Sequence, residues 1–322
     1  MDQVALGIVG FGIMGERLVR TAFPHPAVRL AGVWDPSPEA AARLAATGSG
    51  APMLADAEAV IAACDALYIA APPAAHLPIA RAALRAGRAV LLEKPLATDL
   101  EDAAKFVAEA EQAGARAAVN FPMASSPAVA QLSAWREAGS LGTPRELRIT
   151  ADFARWPRGW QQDAAGWLAR RAEGGFTREV VSHFLFLTRR QLGPLELLSA
   201  QVEYPEGEGA ETGITAELRA GGVPVLLSGS VGRIEADEVN SWTLTGSEGA
   251  IRLRDWSYAE RLDAQAGWQA APDALANTAM RPQVLRAQMD KLAALTRGQP
   301  QTLATLREAL EVQQVVERIL AA

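Results

Sequence analysis

Cysteine and lysine are almost absent from this 322-residue chain. A lone cysteine, Cys64, excludes an intrachain disulfide and any cluster of thiolates around a metal, so no metal site is expected and Cys64 reads as buried packing. No apolar run approaches the roughly 20 residues that cross a bilayer. Nor does any run of Lys or Arg make a basic stripe, and with a net charge of −6 neither nucleic acid nor membrane is an expected partner. The opening stretch Val4–Val9 reads as a strand rather than a basic-then-apolar leader, which makes a cytoplasmic protein the expectation. At this length about two domains are expected.

The scarcity of lysine is informative. Three of the 31 basic side chains are lysine and the rest arginine. Arginine keeps its proton in a protein, whereas a buried lysine can be tuned to give or take one, so a lysine outside an exposed helix stands out. Lys105 and Lys291 fall in amphipathic helical stretches and read as solvent-facing charges. Lys94 does not.

From Val4 to Val119, short β-type runs alternate with helical ones, the pattern of a doubly wound parallel sheet. Strands are expected at Val4–Val9, Val28–Trp34, Ala66–Ala70, Ala89–Leu92 and Arg116–Val119, with a short one near Met53. Helices are expected at Met14–Ala22, Glu39–Ala46, Leu77–Ala86 and Asp99–Ala113, the last capped by Thr98 or Asp99. The first strand runs into Gly10-Phe11-Gly12-Ile13-Met14-Gly15, a G-x-G-x-x-G loop that opens a helix. Its glycines allow a tight turn, close approach of a pyrophosphate and close helix–strand packing, and the phosphates would rest on the helix N-terminus. Asp35 ends the second strand twenty residues after Gly15, where a carboxylate takes hydrogen bonds from a ribose diol and repels a 2′-phosphate. NAD is therefore expected over NADP. Pro36 and Ser37 supply no cation there, and Arg43 weakens that preference only if its side chain folds back.

After Asn120 the alternation breaks. A helix over Ala128–Ala138, a strand over Arg145–Phe153 and a helical run from Phe176 to Leu192 precede five consecutive strand candidates between Leu195 and Leu253, and two helices, Val284–Arg297 and Thr302–Leu320, follow. Consecutive strands favour an antiparallel sheet, giving an α+β second half. The expected division is 1–121 for a dinucleotide-binding domain and 122–322 for a substrate and oligomerisation domain.

Chemistry-bearing residues cluster at the ends of strands. Glu93 and Lys94 close the strand Ala89–Leu92 at the carboxyl edge of the sheet, where ligands of open α/β sheets bind, and Pro95 pins the turn that follows. At the preceding strand's end, Ala71, Pro72 and His76 either wall the nicotinamide or, in the case of His76, simply begin a helix. Glu179 and His183 are four apart in a helical run and share a face. They read either as a general base with its orienting carboxylate or as an ordinary ion pair. Trp156, Trp160 and Trp167 either stack on a sugar ring or pack a domain junction. Arg155, Arg158 and Arg178 either recognise an anion or are solvated.

Taken together, these residues resemble the glucose–fructose oxidoreductase, inositol dehydrogenase and rhizopine-catabolism family of NAD(P)-dependent oxidoreductases. The resemblance runs from about Val4 to Leu192 and is carried by the glycine loop, Ala71-Pro-Pro-Ala-Ala-His76, Ala82-Ala-Leu-Arg-Ala-Gly87, Glu93-Lys-Pro-Leu96 and Gly174-Gly175 through His183. It implies a Rossmann half joined to an α+β half with a largely antiparallel open sheet, a homo-oligomer (dimer or tetramer), and a catalytic lysine and histidine matched here by Lys94 and His183. It further implies a dehydrogenase or reductase interconverting a secondary alcohol and a ketone on a sugar, polyol or related small molecule. In that reading Glu179 orients His183, and Glu93, Pro72 and Asn120 position the nicotinamide. Two alternatives on the same scaffold are an NAD-dependent glycosidase-type hydrolase and a non-catalytic nucleotide- or ligand-sensing regulator. The chain departs from the family pattern in Glu179-Val-Val-Ser-His183, where Asp-x-Gly-x-His is common, in Phe186, and in Asn120-Phe-Pro-Met123, which lacks an arginine.

Overall fold

Burial on both faces is what the apolar runs of the first half demand, and the computed structural model, which describes residues 2–322, provides it. Strands β1 (Val4–Val9), β2 (Val28–Trp34), β3 (Ala66–Ile69), β4 (Ala89–Leu92) and β5 (Ala117–Val119) form an all-parallel sheet in the order β2-β1-β3-β4-β5. Every residue of β1, β3 and β4 is buried. Helices α1 (Ile13–Ala22), α2 (Ala40–Ala46), α3 (Ala57–Ala63), α4 (Pro73–Arg85) and α5 (Leu100–Gln112) connect them.

Several local expectations resolve here. The strand near Met53 is a single parallel bridge to Val33. Asp99, not Thr98, caps α5, its carboxylate accepting the amides of Glu101 at 2.7 Å and Asp102 at 3.1 Å. The helix expected from Leu77 starts at Pro73, because proline suits the first turn, and this brings His76 inside α4. Helix α3, capped by Asp56, has no counterpart among the expected helices; its Ala-rich sequence carries too short an apolar stripe to read as one. Cys64 is buried, and burial pushes its thiol up to about 11. Lys105 does face solvent beside Glu101, but Lys291 is half-buried and donates to the Ala124 carbonyl at 2.5 Å.

The chain divides into two compact units, one of residues 1–125 with 282–310, the other of residues 126–281 with 311–322. Residues 282–310, which the sequence reading assigns to the half 122–322, pack with the first unit because Leu285, Met289, Leu292 and Leu295 complete the core around Leu6, Ile8, Tyr68 and Leu91.

In the second unit, α6 (Pro127–Glu137), β6 (Pro144–Phe153), the short α7 (Ala165–Leu168) and α8 (Ser182–Leu192) precede seven further strands: β7 (Leu195–Glu203), β8 (Gly213–Ala220), β9 (Val223–Val231), β10 (Glu238–Gly246), β11 (Ala250–Arg254), β12 (Tyr258–Asp263) and β13 (Gly267–Ala270). They form one sheet in the order β13-β12-β11-β10-β6-β9-β8-β7, antiparallel except where β6 lies parallel to β9. Strands β12 and β13 escape sequence reading because they are short and largely exposed. Alternation sets the faces: Trp242 and Leu244 are buried while Val239 points the other way and is exposed. Trp242 satisfies its indole N–H on Thr188 of α8 at 2.9 Å, fastening helix to sheet. The last helices are α9 (Asn277–Thr296) and α10 (Leu306–Leu320).

Candidate active site

The glycine loop of the first unit is built by contacts that leave no room for side chains. Gly10 has φ +95°, and a Cβ there would lie 2.4 Å from the Ala70 carbonyl carbon. A Cβ on Gly15 would meet the Gly10 oxygen at 2.1 Å, so α1 packs directly on the turn. Gly12 differs, since a Cβ there would meet nothing within 4 Å; it borders open space at the start of α1. Close packing on one side of the loop and space on the other is the form a pyrophosphate requires, and the loop fits a dinucleotide on that ground. Asp35 anchors the far wall, its Oδ2 accepting the Phe11 amide at 2.6 Å and its Oδ1 the Ser37 amide at 2.8 Å. Arg43 does fold back: its guanidinium lies 5.6 Å from the Phe11 ring centroid and pairs with Glu16 at 3.2 Å.

Along the same carboxyl edge, the ends of β3 and β4 are joined by His76. Its Nδ1 lies 2.9 Å from the Pro95 carbonyl and its Nε2 2.8 Å from that of Ala71, so the imidazole bridges the turn after β3 and the turn after β4. Burial lowers its pKa. His76 is thus a helix residue and a brace for the loops carrying Ala71, Pro72 and Lys94. The Lys94–Pro95 peptide is cis, and the Lys94 amide donates to Glu93 Oε2 at 3.3 Å.

Glu93 sits in a buried network invisible in the linear sequence. Its Oε1 accepts the Tyr68 hydroxyl and, at 2.6 Å, the Asn120 amide; Gln288 of α9 in turn donates to the Asn120 oxygen. Burial and the adjacent Glu93 carboxylate raise the Tyr68 pKa well above its usual value, so the phenol stays a donor. Tyr68 and Gln288 are the residues that sequence reasoning missed here. They come from 25 residues before Glu93 and 168 residues after Asn120, separations at which spacing carries no signal.

Glu179 and His183 belong to the second unit, Lys94 to the first. The run expected as one α-helix opens with a π-helical turn, Thr177–Val181, before α8, so Glu179 lies in the widened turn and His183 in the regular helix. Ser182 Oγ donates to the Arg178 carbonyl at 2.7 Å, giving that oxygen a side-chain partner where the regular ladder is interrupted. Such turns gather at functional sites. The helix start is held by Glu211, a buried carboxylate whose Oε1 accepts the Thr177 amide at 2.7 Å; burial raises its pKa. Gly175, with φ +99°, must be glycine, since a Cβ would meet Glu211 Oε2 at 2.1 Å.

His183 meets Trp256 edge-on, ring centroids 5.6 Å apart, and the Trp256 indole donates to Glu238 Oε1 at 3.0 Å. The other oxygen of Glu238 pairs with Arg158 at 3.3 Å. Arg158 in turn lies 4.7 Å from the centroid of Trp160. The tryptophans divide. Trp156 packs against Phe153 and Phe176 and donates to the Leu168 carbonyl; Trp167 is half-buried in α7; Trp160 is 45% exposed. Arg178 is not available for an anionic substrate, because its guanidinium is spent on both oxygens of Glu317, at 2.7 and 2.6 Å, and on the carbonyls of Arg171 and Gly174. Among the described residues no group of three or more His, Cys, Asp or Glu side chains is placed to hold a metal ion, and no helix is long and apolar enough to cross a membrane.

The first unit is a parallel sheet with a fingerprint loop, and the second is built on an open, largely antiparallel sheet. Residues 4–121 match the family described as "Oxidoreductase family, NAD-binding Rossmann fold". It is 34% identical over 163 residues to inositol 2-dehydrogenase 4 of Saccharopolyspora erythraea, covering 49% of this chain and 48% of that one. To the dTDP-3,4-didehydro-2,6-dideoxy-alpha-D-glucose 3-reductase of Streptomyces violaceoruber it is 32% identical over 192 residues, 59% and 54% of the two chains. The matches thus span about half the length of these relatives. The fold extends over the whole chain: a putative myo-inositol dehydrogenase from Sinorhizobium meliloti superposes with a TM-score of 0.80 at 19% identity, covering 99% of this chain and 98% of that one.

Proposed function

We propose that this protein is an NAD-dependent oxidoreductase that interconverts a secondary alcohol and a ketone on a sugar, polyol or related small molecule. The observation that supports it best is the placing of Lys94, one of three lysines, at the same sheet edge as the glycine loop and Asp35, on a turn braced by His76. The unit of residues 1–125 and 282–310 serves the dinucleotide, and that of residues 126–281 and 311–322 the substrate and the contacts of a cytoplasmic homo-oligomer. When bound, the nicotinamide accepts or returns a hydride. Gly10, Phe11, Gly12, Ile13 and Met14 receive the pyrophosphate, Asp35 the adenosine ribose, and Ala71, Pro72, Glu93 and Asn120 the nicotinamide end. In the oxidising direction His183 takes the hydroxyl proton, Glu179 favours the resulting imidazolium, and Lys94 serves as a catalytic hydrogen-bond donor.

Incubation with NAD and a panel of sugars, polyols and glycosides tests this. Absorbance of NADH growing with a free sugar or polyol is expected. Glycoside cleavage without net NADH, or no turnover of any compound in either direction, would overturn it.

A further inference from the structure

Among the described residues, Arg281 is the one guanidinium around the exposed indole of Trp160 without an acid. It lies 5.9 Å from the Trp160 ring centroid, half-buried, and has no ion-pair partner among those residues. Arg158, on the same ring at 4.7 Å, is already compensated: Glu238 pairs with it, and Glu179 lies within electrostatic reach, as does Arg281. Two permanent positive charges therefore lie beside one indole ring, and among the described residues only one of them has an acidic partner. Trp160, 45% exposed, offers apolar surface beside which a sugar ring can lie. The route from here to His183 is short and continuous, running from Arg158 through Glu238 to Trp256 and on to the imidazole.

We infer that Trp160 and Arg281 receive an acidic group carried on the substrate, a carboxylate or a phosphate, so that the substrate is an anionic sugar derivative rather than a neutral polyol. The inference rests on the oxidoreductase reading for the word substrate, but the contact itself is a binding property. Arg281 forms a charge-assisted hydrogen bond to the anion, and Trp160 covers the ring beside it.

Calorimetric titration of the NADH-loaded protein, in which no turnover occurs, separates the two questions. The probes are D-glucuronate and D-gluconate for a carboxylate, glucose 6-phosphate for a phosphate, and D-glucose and myo-inositol as neutral controls. At least one anion should bind more tightly than both neutral compounds, with an affinity that falls as ionic strength rises. Arg281→Gln should weaken that anion about ten- to a hundredfold and leave NADH binding unchanged; Arg281→Lys should recover part of the loss. Neutral compounds binding as well as the anions, an Arg281→Gln variant with unaltered affinity, or no binding by any probe would overturn the inference. Anion binding that tracks Arg281 in a protein that turns over nothing would retain the site and reject the oxidoreductase reading alone.

Discussion

The Asp35 carboxylate and the Phe11 amide are 2.6 Å apart, so the acid proposed to receive the adenosine ribose also holds the glycine loop in shape. Replacing it therefore acts twice. Asp35→Ser should weaken NAD about tenfold or more, because a charge-assisted hydrogen bond is lost. It should weaken NADP less, since Arg43 already lies over the Phe11 ring. Dissociation constants for both cofactors, measured at one ionic strength, check this; the wild type should prefer NAD, and equal constants for the wild type would contradict the role given to Asp35.

Lys94→Arg keeps the charge and removes the titratable amine. Turnover should fall by about 10²- to 10⁴-fold, the range of general acid–base assistance, while NAD affinity stays within a few-fold of wild type. An Arg variant of normal rate would make Lys94 a strand-end charge.

Glu179 lies in the π-helical turn Thr177–Val181, four residues before His183 of α8. If the two act together, Glu179→Asp should lower kcat/KM, Glu179→Gln should lower it further by removing the charge that favours imidazolium, and His183→Ala should be lowest. Profiles of kcat/KM against pH should show the limb moving with residue 179. A stationary limb with near-normal rates would reduce Glu179 to a surface pair worth a few tenths of a kcal/mol.

Glu211 supplies a pH test that needs no substrate. Burial raises its carboxyl above the unfolded value, so the folded state favours the protonated form. Its contribution to stability is present at low pH and is lost as pH rises through the folded value. Glu211→Gln keeps an oxygen for the Thr177 amide and carries no charge. Its unfolding temperature relative to wild type should therefore climb from acid toward neutral pH. A difference independent of pH would mean that the wild-type carboxyl does not titrate differently on folding.

What the sequence displays well is local. The glycine loop, Asp35, the Val- and Leu-rich parallel strands and the Glu93-Lys94-Pro95 turn each depend on a few neighbouring residues, and each is legible in the linear order of the chain. What it hides is assembled from a distance. Neither Tyr68, which reads as strand core, nor Gln288, a polar residue in a helix, announces that it meets Glu93 and Asn120. Arg281 and Trp256 look like an ordinary helical cation and a turn aromatic, yet Arg281 lies over the Trp160 ring, and Trp256 binds Glu238 of β10 and meets His183. Arg178 errs the other way, sitting beside Glu179 in sequence while Glu317, 139 residues on, claims its charge.

The return of residues 282–310 to the first unit has a consequence for biogenesis. A nascent chain that has emerged only as far as Ser125 holds all five strands of the nucleotide sheet but none of Leu285, Met289 or Leu292, which bury part of its core, nor Gln288, which secures Asn120. More than a hundred and fifty residues of the other unit, 126–281, must be translated before those side chains arrive. The ribosome therefore releases the two units in an interleaved order: the second has most of its sheet available to fold while the first still waits with open apolar surface, the condition in which chaperones engage a chain.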